Sequence, residues 1–246
     1  MNYRILIAVM AEVESFRKCV EKCPDKSKLV IVNNWTNPEI ATQCDEFEKL
    51  GSEVHRHPEN IGCSGAMNIG VNKLGEGLDF VIILSPSALF TNSVEDFVRV
   101  IENTERIEKN YFYWSIAKEN LAQPGTRTDM HAFAITKRCF DEVGNYDENY
   151  YPVYYDDADY GYRMGRIGAT KTPVDIDRIS QDLGGGVGKD KKIFDLYWAN
   201  VNHLHDYYVR KWGGEIGNEK FTHPYNDEKL TIRDWKLERD LITWKI

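Results

Sequence analysis

Asn60-Ile-Gly-Cys-Ser-Gly-Ala-Met-Asn-Ile-Gly70 stands between a strand-like segment, Ser52–His57, and a helix-like one. Met67, Val71 and Leu74 recur at helical spacing and predict a helix over roughly 64–74. The glycines let the backbone come close to a ligand. Asn60 and Asn68 can each donate and accept hydrogen bonds. The first turn of the helix adds free N–H groups and a positive dipole end. A plain glycine turn before a capped helix reads the same way, so this stretch alone leaves function open. What it settles is a strand–turn–helix unit.

The same unit repeats outward from there. Tyr3–Val9 and Lys28–Asn33 read as buried strands, and Asp79–Leu84 as a fourth. Between them Val13, Phe16, Val20 and Cys23 fall at helical spacing, and Pro38–Leu50 opens on a proline where it costs least. Ser93 with Asp96 three residues on marks a helix start. This β-α-β-α order predicts an α/β fold, a mostly parallel sheet with helices on both faces. Such sheets bind ligands beyond the carboxyl ends of their strands. Those ends are Ala8–Glu12, Asn33–Thr36, Pro58–Gly65 and Ser85–Ala88, all polar, small or glycine-bearing. After residue 105 the chain turns tyrosine-rich, with short strand-like pieces at Tyr111–Ile116 and His131–Thr136. From Ile193, Leu196, Tyr197, Val201, Leu204 and Tyr208 trace a long amphipathic helix. One main domain over 1–190 is expected, with 191–246 a helical extension packed on it.

A second stretch carries chemistry. Tyr154-Tyr-Asp-Asp-Ala-Asp-Tyr-Gly-Tyr-Arg163 sets Asp156, Asp157 and Asp159 among aromatics and an arginine. Carboxylates crowded in a partly dry cleft repel one another, so one holds its proton more tightly and becomes a better general base. The alternative is a set of acids complementing a helix dipole, with Asp156 as the cap.

Together these stretches resemble glycosyltransferase family 2. Asn60, Gly62, Asn68 and Gly70 match the family's N-x-G-x-x-x-x-x-N-x-G pattern. Asp156-Asp157-Ala158-Asp159 with Arg163 matches its E-D-x-D motif and downstream arginine, with Asp for Glu. Phe140-Asp-Glu-Val-Gly-Asn-Tyr-Asp-Glu148 looks like its F-x-x-V-G-x-F-D-E lead-in, and Val30-Ile-Val-Asn-Asn-Trp-Thr36 like its V-x-V-D-N-x-S segment. The match runs over roughly residues 3–175 with the motifs in order. Lys211-Trp-Gly-Gly214 and His223-Pro-Tyr-Asn226 look like the C-terminal part of some bacterial and phage members.

The resemblance implies a GT-A fold and transfer of a sugar from a nucleoside diphosphate to an acceptor hydroxyl, with inversion. Asp157 would be the base. Asp156, Asp159, Arg163, His131 and Trp212 would position the acceptor. Ala8, Glu12, Asn33, Asn34, Asn60, Gly62, Ser64, Asn68, Ser85 and Ser87 would hold the nucleotide-sugar. A glycan, a lipid-linked sugar, a protein or a modified DNA base would each serve as acceptor. A relative that binds a nucleotide or glycan without turnover is the alternative.

Three positions depart from the family. The D-x-D motif, which helps hold Mn2+ or Mg2+, reads Ser85-Pro86-Ser87. Hydroxyls are poor ligands for hard divalent ions, so a metal cofactor is doubtful. The base-contacting Asp is Asn33, and the late metal-site histidine is missing, leaving Asp182 as a candidate ligand. Without a metal the leaving diphosphate needs cations or helix N-termini; Arg127, Lys189, Lys191 and Lys192 are candidates by position.

The rest of the sequence narrows the field. A net charge of −8 argues against a broad nucleic-acid face. Five cysteines without a C-x-x-C pair read as reduced thiols, and the two H-x-H pairs lack cysteines to complete a zinc site. Gly184-Gly-Gly-Val-Gly-Lys189 is one residue short of a P-loop, and Asp190 stands where Ser or Thr belongs. The loop after the first strand lacks the glycines and arginines of nucleotidyltransferases. With neither a signal-peptide pattern nor a long apolar run, a soluble cytoplasmic protein is expected.

Overall fold

The computed structural model describes residues 1–35, 37–104, 111–115, 131–174, 178–180 and 191–238. Strands β1 (Tyr3–Val9), β2 (Leu29–Asn33), β3 (Glu53–Arg56) and β4 (Phe80–Leu84) alternate with helices α1 (Val13–Glu21), α2 (Pro38–Lys49) and α3 (Gly62–Val71). Then come β5 (Ala88–Phe90), α4 (Glu95–Asn103), β6 (Phe112–Ser115), β7 (Ala132–Thr136) and α5 (Lys137–Val143). Helix α6 (Asp156–Arg166), β8 (Lys171–Val174), β9 (Arg178–Ser180) and α7 (Lys191–Trp212) complete the order.

The main sheet runs β3-β2-β1-β4-β7-β6-β8. β7 is antiparallel to both β4 and β6, and the other pairings are parallel. The mostly parallel sheet expected from the β-α-β order is therefore present. β5 and β9 form a separate antiparallel pair that the sequence reading did not foresee. From β1 the chain steps to β2 and β3 on one side, then returns to pair β4 on the other. The crevice between β1 and β4 is the switch point where such sheets take ligands.

Alternation along β1 splits the core into two layers. Ile5, Ile7 and Val9 join Phe16, Ile40, Phe47 and Phe97 on one face. Leu6 joins Val71, Leu74, Val143 and Tyr160 on the other. Gly70 is required by this packing, because a Cβ there would lie 2.7 Å from Leu6 Cδ2.

Helix α4 starts two residues after Ser93, whose Oγ accepts from Glu95 N at 3.1 Å. α6 differs more. Asp156 is its first residue and not its cap; Tyr155 stands at the cap with φ 67°, after Tyr154 at φ 74°. Two successive left-handed tyrosines are strained, and such strain persists where the surroundings over-determine it. Helix α7 buries Leu204, Tyr207, Tyr208 and Trp212 around Tyr150. The tail returns to the same place: Glu238 N donates to Asn149 Oδ1, and Asn149 Nδ2 to Lys236 O. All five cysteines are free thiols. Among the described residues no helix is long and apolar enough to cross a membrane.

Candidate functional site

A cavity of about 370 Å³ opens at the switch point, a size suited to a small ligand. Ala8, Glu12, Asn34, Asn60, Ser85, His131, Asp156 and Asp157, all expected from the sequence, line it. Each arrives from a strand end or a helix start. Ala8 stands one residue before the end of β1 and Glu12 precedes α1, its carboxylate accepting from Ala11 N at 3.0 Å. Asn34 follows β2, its own N–H continuing the ladder to Val9 O at 2.9 Å. Ser85 follows β4, and its N–H reaches His131 O at 2.7 Å just ahead of β7.

The two asparagines shape the loop before α3. Asn34 Nδ2 donates to Asn60 Oδ1 at 3.1 Å and to Gly62 O at 3.3 Å, while its Oδ1 accepts from Ile61 N at 2.9 Å. Asn60 Oδ1 also accepts from Gly62 N at 2.8 Å. Gly62 has φ 80°, and a Cβ there would lie 2.9 Å from Tyr151 Cδ2. Cys63 N donates to Pro152 O at 2.8 Å. These contacts bind the strand-end wall to the segment leading into α6.

The remaining predicted residues stand behind the cavity. Asn68 Nδ2 donates to Tyr146 O and to Glu148 Oε1, both at 3.0 Å, and its Oδ1 accepts from Tyr146 N at 2.8 Å. Ser87 is fully buried, and its hydroxyl meets that of Ser85 at 2.8 Å. Asn33 Oδ1 and Ser64 Oγ are buried with no hydrogen-bond partner among the described residues. Trp212 is also fully buried and donates Nε1–H to Asp159 Oδ1 at 2.8 Å, so no face of its ring is free for a sugar. The sequence reading missed Cys63, Met67, Pro152 and Tyr154, which also line the cavity. Cys63 and Met67 lie inside the glycine stretch and were readable from it; the left-handed turn that aims Tyr154 was not.

Electrostatics divide the acids of α6. Asp156 is buried and Asp157 exposed. Burial, and then the neighbouring Asp157 charge, push Asp156 up to about 7. Asp159 is buried too, but in a seam of opposite charges. Arg163 Nε lies 2.8 Å from its Oδ2, and Lys211 Nζ lies 2.6 Å from its Oδ1. Burial alone would raise Asp159; Lys211 and Arg163 outweigh that and hold it below its ordinary value. Lys211 also bonds Asp147 Oδ2 at 2.7 Å, and Tyr207 OH donates to the same oxygen at 2.7 Å.

The serine hydroxyls engage each other, and among the described residues no group of three or more His, Cys, Asp or Glu is placed to hold a metal. Asp182, Arg127 and Lys189 lie outside the described residues.

No protein-family model and no curated protein matches the chain. Its architecture does match solved structures. A mannosyltransferase, PcManGT from Pyrobaculum calidifontis, in complex with GDP-Man and Mn2+, aligns over 85% of this chain at TM-score 0.59 and 11% identity. GalNAc-T7 with UDP, GalNAc and Mn2+ aligns over 86% at 0.55 and 14%. The chain spans 64% and 50% of their respective lengths. A Bacillus anthracis structure described as a glucose-1-phosphate thymidylyltransferase aligns over 79% of this chain and 94% of its own length, at 0.53 and 9%. One sheet layout thus serves more than one chemistry. What the likeness establishes for this chain is a GT-A, Rossmann-like fold.

Proposed function

We propose that this chain is a glycosyltransferase that moves a sugar from a nucleoside-diphosphate sugar to an acceptor hydroxyl, with inversion. One observation carries the reading. The Asp156–Asp157 pair at the start of α6 shares a single cavity with the Asn34 and Asn60 loops at the switch point. Glycosyl transfer needs that pairing of a nucleotide cradle with a carboxylate that reaches an incoming hydroxyl. GDP-Man in the mannosyltransferase structure and UDP with GalNAc in the GalNAc-T7 structure support it by analogy.

In this reading Asp157 is the base. Its exposure on the cavity wall lets it meet an entering acceptor. The acceptor oxygen attacks the anomeric carbon as Asp157 takes its proton; the bond to the diphosphate oxygen breaks, and the nucleoside diphosphate leaves. Asp156 tunes this carboxylate from behind. Asp159, Arg163 and Trp212 hold the helix that carries both. Asn33, Gly62, Ser64, Asn68 and Ser87 support the donor loops, and Ala8, Glu12, Asn34, Asn60 and Ser85 face the donor.

Weak or absent dependence on a divalent ion follows from the donor set, because paired hydroxyls do not replace the carboxylates such an ion prefers. The test is a thermal-shift screen of UDP, GDP and dTDP, with Mn2+ or with EDTA, beside a turnover assay on the matching sugar donors. A stabilised melting temperature in EDTA is expected. Full loss of turnover in EDTA with full recovery in Mn2+ would overturn the metal inference. Asp157→Asn should keep donor binding and lose about 10²–10⁴-fold in rate; near-normal turnover removes Asp157 from the mechanism. Donor binding by the unmodified chain without turnover selects the non-catalytic reading that the Ser85–Ser87 replacement also suits.

A further inference from the structure

Tyr154 belongs to two features at once. It lines the cavity beside Asp157, and it begins a run of aromatic rings along the outside of α7. Its ring meets Tyr197 edge-on at 4.7 Å. Tyr197 meets Trp198 at 5.2 Å, and Trp198 meets Phe194 at 6.0 Å. Tyr154 is 41% exposed, Phe194 45% and Trp198 57%. Large aromatics rarely stand exposed in a contiguous group without a partner. The left-handed backbone at Tyr154 and Tyr155 turns the chain toward this helix at a conformational cost, as functional strain does.

We propose that this run is an acceptor subsite for a neutral oligosaccharide, whose reacting end enters the cavity beside Asp157. The proposal rests on the glycosyltransferase reading and names its acceptor class. The apolar C–H faces of pyranose rings fit aromatic faces, while Tyr and Trp keep a polar edge for the hydroxyls. The run is continuous with the cavity through Tyr154, so a glycan too long for the cavity has a surface to follow. Charge chooses between a glycan and a bilayer. A chain of net charge −8 is a poor match for an anionic membrane, and Lys191 at the head of α7 is paired with Asp195 at 2.5 Å.

The experiment applies the labelled full chain to an array of neutral and acidic oligosaccharides. In parallel it is sedimented with vesicles of phosphatidylcholine and phosphatidylglycerol at 3:1. Trp198→Ala and Phe194→Ala are compared after their melting temperatures are checked against the unmodified chain. The expected result is retention on neutral oligosaccharides, weakened about tenfold by Trp198→Ala, kept by Asp157→Asn, and no sedimentation with vesicles. Retention on no glycan, equal retention by both alanine variants, or binding to vesicles alone overturns the subsite. Glycan retention without donor-dependent turnover sinks the glycosyltransferase reading and leaves the subsite standing. Turnover without glycan retention does the reverse.

Discussion

Helix α6 has two acidic faces, and they are built to opposite rules. On its buried face Asp159, together with Asp147 outside the helix, meets Arg163 and Lys211, two negative groups against two positive ones, all four free of solvent contact. On its cavity face Asp156 and Asp157 share the pocket with Glu12, and no Lys or Arg is among the described lining residues. Compensated charge of the first kind fastens α7 to the sheet domain. Buried like charge of the second kind, with no cation among the described lining residues, costs stability. The acids differ in their partners, not in their type.

That contrast breaks most clearly at Lys211. Lys211→Met strands Asp147 and Asp159 without one of their cations, and should cost about 3–5 kcal/mol in denaturant unfolding. Asp156→Asn should behave in the opposite way. The folded carboxyl titrates at about 7, above the roughly 3.9 of an unfolded chain. The native state therefore binds the extra proton between those values. The contribution of Asp156 is most favourable below about 4 and is lost as the pH rises to 7, at up to about 1.4 kcal/mol per pH unit. Asp156→Asn should flatten that slope and be the more stable protein at pH 8, read from urea melts across pH 4–8. If it destabilised the chain as Lys211→Met does, the two faces would be alike and the distinction would fall. A smaller effect is expected at Asn34. Asn34→Ala leaves Ile61 N without its acceptor and should cost about 1–3 kcal/mol, with a matching loss of nucleotide-induced stabilisation.

The first four strands were legible because period and punctuation agreed. β-branched runs ended in small polar loops, and Tyr3–Val9 is the same in sequence and structure. Cavity residues at strand ends were legible for the same reason, since the ends of parallel strands are few and known. Long-range charge pairing was not legible. Nothing local in Asp147 or Lys211 announces that they meet across 64 residues of chain. Asp159 looked like Asp156 and Asp157 because it sits in the same motif; Arg163 one turn on and Lys211 brought by α7 separate them. Trp212 read as an acceptor-positioning residue because a tryptophan before two glycines carries no mark of burial. β5 and β9 were missed because strands of three residues leave no period to detect.

The close approach at Gly62 sets a gauge for the whole pocket. With Tyr151 already against the α carbon and Cys63 tied to Pro152, the two walls touch there through main chain. Re-tailoring the pocket for a bulkier or slimmer ligand therefore cannot begin at that hinge line. The adjustable jaw is one turn further along α3, where half-buried Met67 offers its side chain to the same space and fully buried Ala66 does not have that freedom.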